Sequence, residues 1–233
     1  MITLKNVSKS YNGQIVLNQI NLEIHEGSLT CIRGTSGIGK TTLLRLLMGL
    51  EAPDSGSIVH SNLDMLGKCS ADSNLDMLAK CSADSNLDML GKYSVDSSLD
   101  TLSKSAVFQD DLLVEQLTII ANILMPHIGK STLKNISMSN LYKDLTTLNL
   151  FDDKDKMVSE CSGGMKRRVS LLRGLYADYD ILFLDEPFKG LDDNTKRATM
   201  DYVLSKTKGK TVIYVSHDHN EIAYMKPNYY IDL

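Results

Sequence analysis

The sequence predicts an α/β protein: a parallel sheet core, an antiparallel β region at the start of the chain and a mostly helical segment later in it. Three observations carry this. Leu29–Arg33 is a short strand-like run that leads into the glycine-rich Gly34–Gly39 and then into the apolar stretch Leu43–Met48. Strand, glycine loop and helix in that order open a βαβ unit. Tyr179–Leu184 (Asp180 aside) and Thr211–Val215 are apolar runs, as strands covered on both faces of a parallel sheet must be. Both end in polar and titratable residues, Asp185-Glu186 and Ser216-His217-Asp218, and ligands of open parallel sheets sit beyond the carboxyl ends of the strands.

The remaining elements follow in chain order. The first thirty residues or so alternate as strands about Asn12-Gly13, a hairpin turn signal, and Ser57–His60 extends this antiparallel region. From Ser61 the chain reads SNLDMLGKCSAD, SNLDMLAKCSAD and SNLDMLGKYSVD, with a fourth, worn copy over Ser97–Phe108. Each unit offers three apolar side chains against six or more polar ones. That is too little for neighbouring units to bury a common core, so residues 61–96 are read as a tandem expansion within a loop or hairpin rather than a solenoid. Such an insertion is tolerated at small entropic cost; the alternative is an arm that touches a partner. A strand then leads to Gln109. Residues 110–178 read as mostly helical, with Leu112-Leu-Val and Leu117-Thr-Ile-Ile as apolar stripes, Pro126 as a breaker and Asp152–Lys156 as a solvated loop. The whole, 1–233, is expected to be one domain carrying the insertion at 61–96, with no regulatory domain after His217.

Composition narrows the function classes. The 233 residues are 42% hydrophobic and 23% charged with a net charge of −4, ordinary for a globular protein and unlike a basic nucleic-acid binder. The three near-identical repeats carry six aspartates and three lysines, so most of the net acidity belongs to the tract. No apolar run is long enough to span a membrane, and the N-terminus lacks the apolar core of a signal peptide. The cysteines at 31, 69, 81 and 161 show no zinc spacing and are expected to be reduced thiols in a cytosol.

Gly34-Thr-Ser-Gly-Ile-Gly-Lys-Thr-Thr42 matches the phosphate-binding P-loop at Gly34, Gly39, Lys40 and Thr41. Glycines let backbone N–H groups turn toward phosphate, and the following helix presents its positive end. Gly34, Ser36, Gly37, Gly39, Lys40, Thr41 and Thr42 are therefore the expected phosphate-binding set, with Lys40 on the terminal phosphates and the Thr41 hydroxyl on Mg²⁺. Asp185 is placed to complete the Mg²⁺ shell and Glu186 to activate water as a general base. His217 falls on the same sheet edge.

Many families share a P-loop, and Cys161-Ser-Gly-Gly-Met-Lys-Arg-Arg-Val169 distinguishes among them. It resembles the LSGGQ signature of ATP-binding cassette (ABC) proteins, about twenty residues before the acidic strand end. The rest then falls into that family's order. Tyr11 resembles the aromatic residue that stacks on adenine, although a tyrosine beside Asn12-Gly13 is also a common hairpin residue. Gln109 resembles the Q-loop glutamine, implying a place in catalysis and at the metal. Gly190-Leu191-Asp192 resembles the D-loop, and His217 the switch histidine. Cys161 and Met165 depart from the usual leucine and glutamine but leave Ser162, Gly163 and Gly164 in place.

The resemblance implies a P-loop NTPase fold with a RecA-like core and a helical subdomain over roughly 110–178. It implies two cassettes sandwiching ATP and Mg²⁺, so that Ser162, Gly163 and Gly164 of one contact nucleotide held by the other. The partner is a second copy or another ABC ATPase subunit. The resemblance further implies an ATP-hydrolysing subunit of a transporter, peripheral on the inner face of the cell membrane and working on separate transmembrane permease subunits. Met165 and Leu184-Asp-Glu-Pro-Phe188 resemble nitrate, sulfonate and taurine importers, which favours import. The alternative is a soluble ABC-type ATPase acting on nucleic acid or ribosomes. The acidic charge and the single cassette speak against that alternative, so no nucleic acid is expected.

Overall fold

The computed structural model describes residues 1–60, 102–129 and 136–233. The repeat tract 61–96 and its expected hairpin lie outside these residues.

Ile2–Tyr11 (β1) and Gln14–Ile24 (β2) form an antiparallel hairpin. Asn12 and Gly13 take φ of 51° and 80°, the left-handed pair that a two-residue turn between twisted strands requires. Ser55–His60 (β4) pairs with the other side of β1, giving the order β2-β1-β4. The register slips between Lys5 and Ser8, where Asn6 has φ 50°, a bulge in the central strand. Gly56 faces that bulge. At its φ of +86°, an added Cβ would collide with the Asn6 carbonyl group and lie 2.5 Å from Lys5 O. Gly56→Ala is therefore expected to cost about 2–4 kcal/mol, from left-handed strain and a backbone clash. A fall in the urea midpoint at unchanged slope is the measurement.

The second sheet is wholly parallel. Leu29–Arg33 (β3), Lys104–Val107 (β5), Ile181–Asp185 (β6), Thr211–Val215 (β7) and Tyr229–Asp232 (β8) lie in the order β5-β6-β7-β3-β8. Alternation decides which layer each side chain joins. Ile181, Phe183, Ile213 and Val215 face one cluster with Leu43, Leu44 and Leu47 of Lys40–Met48 (α1) and with Ile2, Leu4, Leu17 and Ile24 of the antiparallel sheet. Leu182, Leu184, Val212 and Tyr214 face the opposite cluster. There they meet Met200 and Val203 of Asp193–Lys206 (α5) and Ile222 and Met225 of His219–Met225 (α6). This is the predicted α/β architecture, with an antiparallel sheet beside a parallel core.

Ile119–Leu124 (α2), Met138–Thr147 (α3) and Gly163–Tyr176 (α4) make a third cluster from Ile119, Ile123, Leu141, Leu145, Val169 and Leu172. The sequence expectation of helix over the first apolar stripe is corrected here. Leu112 has φ 46° and is 62% exposed, and Val114 is also exposed. The buried Asn122 side chain explains why the backbone stays open. It accepts from Val114 N and donates to the carbonyls of Val114, Leu117 and Thr118, so the Val114 and Leu117 groups need no α-helical partners. Pro126 lies within a single 3₁₀ turn, Met125–His127, directly after α2. No described helix is long and apolar enough to cross a membrane.

Candidate nucleotide site

Parallel pairing carries the ends of four neighbouring strands to one edge. Ile32, Val215 and Asp185 stand opposite one another across β3, β7 and β6, and Val107 stands opposite Leu184. The residues that follow are the glycine loop, Ser216-His217, Glu186 and Phe108-Gln109.

The loop 34–39 is built to leave backbone donors free. Gly34, Gly37 and Gly39 have φ of 151°, 83° and 111°. At Gly39 an added Cβ would lie 2.9 Å from Val16 Cγ1 and 3.1 Å from Leu17 Cδ2, so glycine is required both for conformation and for space. Gly39 caps α1 with no side-chain hydrogen bond. The first amides of the helix therefore remain available to an anion, with the helix dipole adding to them. The buried Lys40 sits under this loop, its Nζ donating to Gly34 O at 3.0 Å and Thr35 O at 2.8 Å.

Thr41 Oγ1 donates to Asp185 Oδ2 at 3.0 Å. Asp185 is 2% exposed, and its other oxygen, Oδ1, is buried without a hydrogen-bond partner. Burial pushes this carboxyl up, the Thr41 hydroxyl opposes that, and the Glu186 charge adds to it. An orphaned carboxylate oxygen beside a hydroxyl fits a hard divalent cation, which would satisfy Oδ1 and favour the ionised form. No cluster of three or more His, Cys, Asp or Glu among the described residues could hold a metal by itself. Mg²⁺ here would accordingly rest on Thr41, Asp185 and nucleotide oxygens, the sparse protein ligation usual for that ion.

Glu186 follows with φ 46°, an uncommon backbone for a non-glycine residue and a form of local strain found at functional sites. Its Oε1 accepts from His217 Nδ1 at 2.9 Å and its Oε2 from Lys189 Nζ at 2.7 Å. Burial raises this carboxyl, but Lys189 and then His217 outweigh it and hold it below the usual carboxylate range. The residues flanking His217 belong to a separate polar network. Asp218 caps α6 and pairs with Lys196, which also binds Glu221, and Glu221 accepts from the Ser216 hydroxyl at 2.7 Å.

The other expected residues lie further out. Gln109 is exposed, and no hydrogen bond joins its side chain to Thr41 or Asp185. Tyr11 is partly exposed at the end of β1, its hydroxyl donating to Glu51 and Lys9 Nζ lying 5.5 Å from its ring centroid. Ser162 caps α4 by accepting from Met165 N, and Gly163 follows with open space where a Cβ would be. Ser162 and Gly163 are exposed, and no hydrogen bond links Ser162–Gly164 to residues 34–42 of the same chain. Cys161 is buried with its thiol pKa raised by burial, an inert rather than nucleophilic setting.

Three residues of this site were not anticipated from sequence: Lys189, Lys196 and Arg167. Lys189 stands three residues after Glu186, a spacing that brings the two side chains together across the turn. Arg167 and Lys196 carried no signal of their own, since each sits in a segment with other basic residues.

The ABC transporter family model matches residues 17–189. The spermidine/putrescine import ATP-binding protein PotA of Mesoplasma florum is 30% identical over 95% of this chain and 55% of its own length. The sulfate/thiosulfate import ATP-binding protein CysA of Pseudomonas putida is 30% identical over 94% of this chain and 60% of its own. The chain thus spans little more than half the length of these curated relatives. A dimeric, post-hydrolysis ATP-binding cassette bound to ADP and Pi superposes with a TM-score of 0.73 at 27% identity, covering 100% of this chain and 94% of that one. The matched segment runs from β2 through the glycine loop and Ser162–Gly164 to the Asp185-Glu186 strand end, and on these grounds the chain belongs to the ABC transporter family.

Proposed function

We propose that this chain binds and hydrolyses ATP with Mg²⁺ as the ATP-binding subunit of an importer, acting in a pair of cassettes on separate membrane subunits. The observation that carries the reading is the convergence on one sheet edge of uncapped α1 amides, Lys40, the orphaned Asp185 oxygen and the Glu186–His217 pair. Each answers one requirement of phosphoryl transfer to water: anion binding, charge neutralisation and an oriented base.

In this reading the α1 amides and Lys40 bind the phosphates, while Thr41 and Asp185 hold Mg²⁺, whose chemistry when bound is to neutralise developing charge on the phosphates. Glu186 takes the proton of the attacking water at its carboxylate, and His217 Nδ1 orients that carboxylate. Gln109 reaches the metal and Tyr11 stacks on the base only once nucleotide is present, which accords with their positions at the rim. Ser162 and Gly163, both exposed, form with the part-buried Gly164 a second anion-binding edge for nucleotide held by another molecule. The dimeric state of the similar cassette supports pairing. Differential affinity of ATP for the closed pair is then what moves a partner.

Import is favoured because the similar curated proteins are import ATP-binding proteins. Their cargoes differ, so cargo recognition belongs to other subunits. Tagged chain isolated from cell membranes is expected to bring down a multi-span permease, and with it an extracytoplasmic binding protein. Recovery with ribosomes or nucleic acid and no membrane protein would establish the soluble-ATPase alternative instead.

A further inference from the structure

Arg167 is 3% exposed, one turn into α4 from Ser162–Gly164. A buried guanidinium has five donors to satisfy, and all its partners lie at the ends of two core strands. Nε donates to Pro187 O at 2.9 Å, and Nη2 donates to Asp185 O at 2.7 Å and Glu186 O at 2.5 Å. Nη1 donates to Phe108 O at 2.5 Å, Gln109 O at 3.3 Å and Asp111 Oδ1 at 3.1 Å. One planar group therefore grips the turn after β6 and the turn after β5 from a helix that belongs to neither strand. The neighbouring Arg168 does nothing similar, bonding to Gly164 O and Leu148 O within the helical region.

From this geometry we infer that Arg167 is a positioning residue: from α4 it ties the Glu186 turn to the Gln109 turn and holds both in place at the hydrolytic edge. The inference rests on the ATPase reading above. Glu186 needs such a brace more than an ordinary residue does. Its backbone is left-handed at φ 46°, and its carbonyl, held by Arg167, cannot turn away without breaking a charge-assisted bond in a dry environment. Gln109 is gripped through its carbonyl while its side chain stays free, which fixes the root of a side chain that must move. Lysine at this position would keep the charge but present a single nitrogen where the fork reaches six acceptors.

The test uses Arg167→Lys and Arg167→Gln in the full chain, with two readouts. Without nucleotide, hydrogen exchange at the Glu186 and Lys189 amides is followed; in the parent these donate to Val215 O and Glu186 O. Exchange at these amides is expected to rise at least tenfold in both variants while the amides of β3 and β7 keep parental rates. With MgATP, kcat is expected to fall at least tenfold while the Kd for ATP stays within threefold, because Lys40 and the α1 amides are untouched. Parental exchange at residues 186–189 would overturn the inference. So would exchange that rises evenly over the molecule, which would make Arg167 a general stabiliser. Absence of turnover in the parent would count against the ATPase reading alone, since the exchange arm needs no ATP.

Discussion

Replacing Glu186 with glutamine is expected to lower ATP turnover by two to three orders of magnitude while leaving ATP binding within a few-fold of the parent. The substitution keeps the side chain's size and an oxygen that can accept from His217 Nδ1, so the 2.9 Å contact survives. What disappears is the capacity to accept a proton, and positioned general bases contribute on the order of 10²–10⁴ in rate. Affinity is spared because the phosphate-binding groups lie on another element, α1 and the loop before it. Binding without hydrolysis should trap the closed pair, so light scattering with MgATP is expected to show a dimer that the parent forms only transiently. Turnover within threefold of the parent would remove Glu186 from the role of base.

Lys189 gives this prediction its contrast. Its ammonium reaches Glu186 Oε2 at 2.7 Å but is half exposed on a mobile-length side chain. Such a pair is screened and worth little by itself. His217 on the other oxygen is exposed to a similar extent, so lysine and histidine share the placement of the carboxylate, and only the carboxylate itself can accept the proton.

How much of this was legible beforehand depends on whether the signal was local. The P-loop, the Asn12-Gly13 turn and the strand over Thr211–Val215 are written in consecutive residues, and the structure forms a glycine loop ahead of α1, a left-handed turn and an inner strand at these positions. Tyr229–Asp232 was not anticipated. It pairs only with β3 at the sheet edge, its tyrosines remain half exposed, and so it lacks the apolar run that marked the inner strands. The worn repeat copy over Ser97–Phe108 contains β5, the other edge strand of the parallel sheet, with Ser105 and Val107 buried. The strand expected before Gln109 is there despite the repeat similarity, its role set by pairing with β6. The stretch at Leu112–Leu117 misled in the opposite direction. Its apolar residues have helical spacing, and what keeps it open is one buried amide at Asn122 on the next element. Arg167 is the extreme case: three consecutive basic residues read alike in sequence, and only the fold turns one of them inward.

Lys40→Ala is expected to weaken ATP binding by about 10²–10³-fold, the largest effect on affinity of any single change at the site. The ammonium is the one cation enclosed by the loop 34–39. Because Gly34 O and Thr35 O already engage it, its charge-assisted bonds to phosphate are taken at the lower part of their range, roughly 1.5–2 kcal/mol each, or about 3–4 kcal/mol for two, which converts to that range at 1.4 kcal/mol per decade. The same nitrogen braces the loop through Gly34 O and Thr35 O, so the variant must be shown to be folded before its affinity is read. Thr35–Ile38 are exposed, and water can take over both carbonyls. The cost in stability is therefore expected to stay near 1 kcal/mol, a shift of about 2–4 °C in Tm for a chain of this size. A calorimetric titration with MgATP beside a thermal melt separates the two effects. Parental affinity in a folded Lys40→Ala would mean that the loop amides alone hold the phosphates. A binding loss matched by a collapse of the melt would assign Lys40 to the fold rather than to the nucleotide. The predicted combination, lost affinity on a nearly unchanged melt, arises only if the loop is assembled in advance around a charge it does not itself need.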